Sequence, residues 1–208
     1  RLPENEREEH RVSRLEIESK MINTEEYYKV VTETLGGTAK MLNLKKALEY
    51  CYESCLLEIV SLVQKYKKCL ILTKDSKQQN ELKSLLEEAG IKKIILIGKD
   101  NIVNLTHETK DVNVAITTKN YVEGYDAVLF NVAISPVILS NQATREQFEG
   151  RILRSNQNSD RVTYITVHCG ILTYIMNKYE KSRQMSKLMR SLADDIGVDV
   201  KEIRKSLV

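Results

Sequence analysis

A chain of 208 residues, 42% hydrophobic and 29% charged, has the balance of a soluble globular protein and is long enough for one good-sized domain with extensions or two small ones. No stretch approaches the roughly 18 to 20 apolar residues that span a bilayer, and Arg1-Leu2-Pro3-Glu4-Asn5 has no apolar signal core, so the chain reads as intracellular, without a membrane partner. A formal net charge of +3 permits a nucleic-acid partner without demanding one.

Residues 1–42 read as a lead-in or linker, partly helical. Its first 20 residues are dense in Glu and Arg, and the absence of an initiating methionine makes the chain read as a fragment or a processed product. Leu15, Ile17, Met21 and Ile22, followed by Tyr27-Tyr28-Lys29-Val30-Val31, offer partial cover for a core, and Gly36-Gly37-Thr38 marks a turn. Gly36-Gly37-Thr38-Ala39-Lys40 is not a phosphate loop, because the spacing differs from G-x-x-x-x-G-K-[ST] and no apolar strand precedes it.

From Asn43 to Tyr66 the apolar positions Ala47, Cys51, Cys55, Ile59, Leu62, Val63 and Tyr66 recur at three and four, which predicts a long amphipathic helix. Cys69-Leu70-Ile71-Leu72-Thr73 then predicts a strand buried on both faces. Ser76 is the expected N-cap of the next helix and Gly90 its stop. Further strands are predicted at Lys93–Ile97, Val112–Thr117, Ala127–Val132 and Arg161–Val167. Buried strands alternating with helices imply an α/β fold, a parallel sheet flanked by helices over residues 43–168, with ligands expected beyond the carboxyl ends of the strands. Residues 169–208 read as a helical C-terminal extension, with Gly197 separating its last segment. Cys51, Cys55, Cys69 and Cys169 form no C-x-x-C pair and lie in apolar patterns, and His10, His107 and His168 are scattered, so neither a metal site nor a disulfide framework is expected.

The chemistry concentrates in Gln147-Phe148-Glu149-Gly150-Arg151-Ile152-Leu153-Arg154-Ser155-Asn156-Gln157. On a helix, two arginines three apart share a side, and Gly150 leaves space beside them. Planar guanidinium groups can fork onto phosphate oxygens, although a solvated charged face has the same pattern.

With these residues in place, the sequence resembles the C-terminal RecA-like motor domain of superfamily 2 helicases and translocases. Gln147-x-x-Gly150-Arg151-x-x-Arg154-x-x-Gln157 resembles motif VI, Val114-Ala115-Ile116-Thr117-Thr118 through Glu123-Gly124-Tyr125-Asp126 resembles motif V, and Cys69–Lys74 resembles the motif IV strand. The resemblance covers roughly residues 45 to 168 and leans toward the Swi/Snf-like branch and its relatives in large cytoplasmic DNA viruses. A viral source would place the protein in the cytoplasm of an infected cell or in the virion. The usual Trp-Asn-Pro is replaced around Ile134-Ser135-Pro136, and the connection from Gly98 to Lys110 is short for the family's helix; these departures point away from a chromatin remodeller.

The resemblance implies that Arg151, Arg154 and Gln147 act on the γ-phosphate of an ATP held by a preceding N-terminal RecA-like domain, with Gly150 permitting the approach. Gly124 and Asp126 would line the nucleotide, the Asp126 carboxylate meeting a ribose hydroxyl or Arg154. Thr73, Lys74, Thr117 and Thr118 would contact a DNA or RNA backbone. The residues alone leave other roles open: turn capping for Asp126, strand-end hydrogen bonding for the threonines, and helix capping for Gln157. No G-K-[ST] triplet and no Asp-Glu-x-[Asp/His] occurs, so ATP and Mg²⁺ are expected to be held mainly by the preceding domain, with none bound by these 208 residues alone. The rivals are a degenerate helicase-like binding module in a transcription or nucleic-acid-processing complex and an unrelated doubly wound nucleotide-binding domain; the latter would need a glycine-rich turn where Lys74-Asp75-Ser76-Lys77 stands.

Overall fold

Cys69-Leu70-Ile71-Leu72-Thr73 carries no polar alternation because both of its faces are covered: in the computed structural model, which describes residues 12–35, 41–109, 111–136 and 142–169, all five residues are buried. This strand, β2 (Cys69–Thr73), lies inside a six-stranded sheet with β1 (Val12–Glu18), β3 (Ile94–Leu96), β4 (Val114–Thr118), β5 (Val132–Pro136) and β6 (Val162–His168). The order is β1-β6-β5-β2-β4-β3 and every pairing is parallel. β4 and β5 are buried along their whole length, whereas the edge strands β1 and β3 are only partly covered.

Successive side chains of β2 enter different cores, as the pleat requires. Ile71 joins Val114, Ile116, Ile134 and Ile165 beneath three helices: α1 (Thr24–Leu35), α2 (Met41–Tyr66) and α3 (Ser76–Glu88). Leu70 and Leu72 join Ala115 and Ala133 on the other face, which is covered by Leu105, Val122, Tyr125 and Phe130 from loops, and by Phe148 of α4 (Gln142–Glu149) and Ile152 just beyond it. That second face places the candidate site, because the segments that cover it are those carrying the motif residues.

The parallel α/β class agrees with the sequence reading; several elements do not. The charged lead-in contributes a sixth strand, since Val12–Glu18 pairs with Val162–His168 along its full length. Its charged residues suit a sheet edge, where a half-solvated strand loses its apolar signature. The strand expected at Ala127–Val132 begins only at Val132. Ala127, Val128 and Phe130 are buried, yet the chain turns there, with the Phe130 amide donating to the Ala127 carbonyl (3.1 Å) and the Leu129 amide to Leu105 (2.9 Å). A short apolar run marks burial and cannot by itself distinguish a strand from a packed loop. The turn at residues 36–40 and the helical extension from residue 170 onward lie outside the described residues.

The cap of α3 is also displaced by one residue. Asp75, not Ser76, is extended and accepts the Gln78 amide at 3.0 Å, while Gly90, at φ +81°, takes the left-handed conformation that closes the helix. Asp75→Ala is expected to cost about 1 kcal/mol, read as a lowered urea midpoint with unchanged slope. Gln79 of the same helix is buried and donates to the carbonyls of Ile97 (3.0 Å) and Ile116 (2.6 Å), fastening α3 to the β3 and β4 side. Cys51, Cys55, Cys69 and Cys169 are buried free thiols, and burial pushes the first three up to about 12, so they are protonated at neutral pH. Among the described residues, no helix is long and apolar enough to cross a membrane.

Candidate functional site

β2 stands between β4 and β5, so after β3 and β4 have formed on one side of it the chain crosses to the other side for β5 and β6. In open parallel sheets the carboxyl ends around such a reversal form a crevice. β4 ends there at Thr118 and continues through a 3-10 turn, Lys119–Tyr121, into the loop 122–126. Gly124 sits at φ +86°, a backbone conformation that L side chains rarely adopt.

The arginines are not on a helix. α4 stops at Glu149, and the chain tightens into a turn whose Arg151 amide donates to the Phe148 carbonyl (3.1 Å) and whose Ile152 amide donates to Glu149 (3.2 Å). A β-carbon at Gly150 would lie 3.2 Å from the Glu146 carbonyl oxygen, a tight contact that a shift of a few tenths of an ångström would relieve. The shared-face expectation therefore fails for a local reason: Gly150 still makes a four-residue bond to Glu146, but at Arg151 and Ile152 three-residue hydrogen bonds take over.

The turn nevertheless brings the motif residues together. Arg151 Nη1 donates to the Tyr125 carbonyl at 2.9 Å and its Nε to the Gln147 carbonyl at 3.2 Å, while the Arg151 carbonyl accepts the Ala127 amide at 2.9 Å. Its guanidinium also lies 5.8 Å from the centre of the Tyr125 ring. Arg154 Nε meets Asp126 Oδ1 at 3.0 Å, with both side chains about two-fifths exposed (40% and 43%). Gln147 Nε2 donates to Glu123 Oε1 at 2.6 Å. Gln147, Arg151 and Arg154 thus bond directly to the loop that holds Gly124 and Asp126. Arg154, one of the two partners open to Asp126 from sequence, meets it here.

Thr73, Lys74, Thr117 and Thr118 form a second group at the same edge, with Thr73 and Thr118 in register. All three threonines are buried. Thr73 Oγ1 donates to the Thr117 carbonyl (3.1 Å) and Thr117 Oγ1 to the Tyr121 carbonyl (2.9 Å), so both hydroxyl hydrogens serve the strand ends and the 3-10 turn. Lys74 is half-buried, its ammonium 5.2 Å from the centre of the Tyr52 ring. Thr117 links the groups, because its bond to Tyr121 shapes the start of the loop that reaches Arg151.

Sequence reasoning passed over Glu149 and Tyr125 as supports of the arginine turn and left Gln157 open to helix capping. Glu149, its side chain only 13% exposed, accepts from Arg14 Nη1 of β1 at 2.5 Å. The same guanidinium lies 4.9 Å from the centre of the Tyr164 ring on β6, and Tyr164 donates its hydroxyl to the Glu149 carbonyl at 3.0 Å. Gln157 is buried, donating to the carbonyls of Phe130 and Ile152 (both 2.9 Å) and accepting the Ser159 amide (3.0 Å). Tyr125 carries an acceptor that no side-chain pattern reveals, its own backbone carbonyl; burial pushes its hydroxyl up to about 12, against the opposing pull of Thr117 and Arg151. Among the described residues, no group of three or more His, Cys, Asp or Glu is gathered closely enough to hold a metal ion.

No protein-family model and no curated protein matches the sequence. Among solved structures, the chain is similar to the C-terminal part of the Fun30 ATPase domain, at 18% identity and TM-score 0.46, covering 57% of this chain and 42% of that one. It is similar to the Mycobacterium smegmatis helicase Lhr, solved with ssDNA and AMP-PNP, at 14% identity and TM-score 0.45, covering 65% of this chain and 19% of that one. S. cerevisiae Dbp5, solved with RNA and ADP BeF3, gives 16% identity and TM-score 0.47 over 83% of this chain and 39% of its own. The chain therefore spans between 19% and 42% of the length of these proteins.

Proposed function

We propose that this chain is the second motor half of an ATP-dependent nucleic-acid helicase or translocase, supplying arginines to a triphosphate held by a preceding RecA-like domain. The observation that carries this reading is the bonding of Gln147, Arg151 and Arg154 to the Glu123–Asp126 loop at the carboxyl edge of a parallel sheet. Phosphoryl transfer is accelerated mainly by positioning and charge stabilisation, which is the service two held guanidinium groups can give. A terminal phosphate suits this cluster in charge and in fork geometry. In this reading ATP and Mg²⁺ would be held mainly by the preceding domain, the ion neutralising phosphate charge when bound.

In this reading Arg151 is the preorganised arginine, since two carbonyls fix its fork before any ligand arrives. Arg154 is the exchangeable one. Its half-exposed pair with Asp126 is of the kind worth about 1 kcal/mol or less, so a phosphate can replace the carboxylate at little cost. Gln147 steadies the cleft through Glu123, and Gly124 and Asp126 line its nucleotide side. Lys74 supplies cationic contact to a DNA or RNA backbone beside Thr118, while Thr73 and Thr117 hold the strand ends that present it.

These 208 residues alone are expected to hydrolyse ATP negligibly. Turnover measured on the purified chain checks this, and a robust rate abolished by Arg151→Ala would overturn the division of labour between two domains.

A further inference from the structure

The edge of the sheet opposite the motif residues carries a different concentration of charge. Three turns meet there, immediately before β2, β3 and β4, and the backbone joins them: the Cys69 amide donates to Asn113 (3.1 Å), the Asn113 amide to Lys93 (3.0 Å), and Asn113 Nδ2 to the Lys92 carbonyl (3.0 Å). Two of the three turns hold a Lys-Lys pair, Lys67-Lys68 and Lys92-Lys93, with Lys65 two residues upstream of the first. Lys65, Lys67, Lys92 and Lys93 are exposed and Lys68 is half-buried. The third turn contributes one carboxylate, Asp111, which meets Lys93; that side chain is 86% exposed, so the pair is weakly held.

The backbone sharpens the observation. Lys67 (φ 67°) and Lys93 (φ 62°) are the two non-glycine residues with positive φ among the described residues. Such turns favour Gly or Asn, and nothing in the fold requires a lysine at either position. Both departures fall in the same charged edge, one in each Lys-Lys pair.

We infer that this lysine edge is a second nucleic-acid contact surface, a docking strip for phosphates away from the motor cleft. Lys68 and Lys93 stand on either side of Asn113, two strand spacings or about 10 Å apart. That span covers about three phosphates of one strand at about 3.4 Å each along a duplex axis. Lysines are mobile point charges that follow a backbone without reading bases. An acidic peptide would instead call for an arginine fork, and these turns carry no arginine. The identification of the polyanion rests on the nucleic-acid reading above.

The test is fluorescence anisotropy of the 208-residue chain with a labelled random-sequence DNA or RNA oligonucleotide, titrated at several salt concentrations. Lys67→Gln with Lys68→Gln, and separately Lys92→Gln with Lys93→Gln, should weaken binding about tenfold and lower the slope of log affinity against log salt by about 1 to 2. The matching Lys→Arg pairs should restore both values. Unchanged affinity and slope in both Gln pairs would overturn the inference, as would equal loss in the Arg pairs, or displacement of the oligonucleotide by polyglutamate at equal charge. Lys74→Ala separates the two readings: loss with Lys74→Ala alone supports the motor edge and sinks the lysine edge, and loss with the Gln pairs alone does the reverse. No binding by the unsubstituted chain sinks both.

Discussion

Arg151→Ala is expected to lower ATP turnover by about 10³- to 10⁵-fold when this chain is joined to a domain that grips triphosphate and metal, the range an arginine finger supplies. The loss should appear in kcat, because the group acts where charge develops during transfer rather than in holding the ground state. Arg151→Lys should rescue little: a point charge cannot occupy both the Tyr125 and Gln147 carbonyls and still present a fork. Arg154→Ala should follow the same direction. Neither substitution should unfold the chain. Arg151→Ala removes a part-buried bond to Tyr125 worth about 1 kcal/mol, and Arg154→Ala removes a half-exposed ion pair worth about 1 kcal/mol or less. Steady-state turnover beside urea unfolding of the same proteins separates the outcomes, and turnover that survives Arg151→Ala in a well-folded motor removes the arginine-finger reading.

Gln157→Ala should act in the opposite sense, on stability first. The amide side chain satisfies two buried carbonyls and one backbone amide, and no water can take its place without entering the core beside Phe130 and Ile152. Leaving such groups unpaired costs about 1 to 3 kcal/mol each before relaxation, so a loss of about 2 to 4 kcal/mol is expected. Urea unfolding of the isolated chain measures it. Gln157→Glu should be at least as damaging, since it turns a donor into a carboxylate facing two carbonyl oxygens. A change within about 0.5 kcal/mol would mean that the loop after Arg154 repacks without its clamp.

The parallel sheet was legible because Leu70, Ile71 and Leu72 have no polar neighbour between them, and the glycines and arginines of the two loops were legible from their types and spacing. What escaped was information that a side-chain pattern does not carry. β1 was hidden because an edge strand needs little apolar surface, and the Ala127–Phe130 loop was mistaken for a strand because it is buried as thoroughly as one. The true partners of Arg151 are backbone carbonyls, which every residue possesses. Glu149 was invisible as a support because Arg14, which meets it, lies 135 residues away in the sequence.

That last contact ties β1 to the arginine turn. A polypeptide trimmed to residue 43, where the α/β alternation becomes recognisable, would retain every motif residue and yet lose the strap that Arg14 lays across Tyr164 onto the end of α4. The Glu149 carboxylate would then lose its cation, one residue before the turn that carries Arg151 begins. A residue in β1 is thus part of the scaffold that keeps the arginines in place.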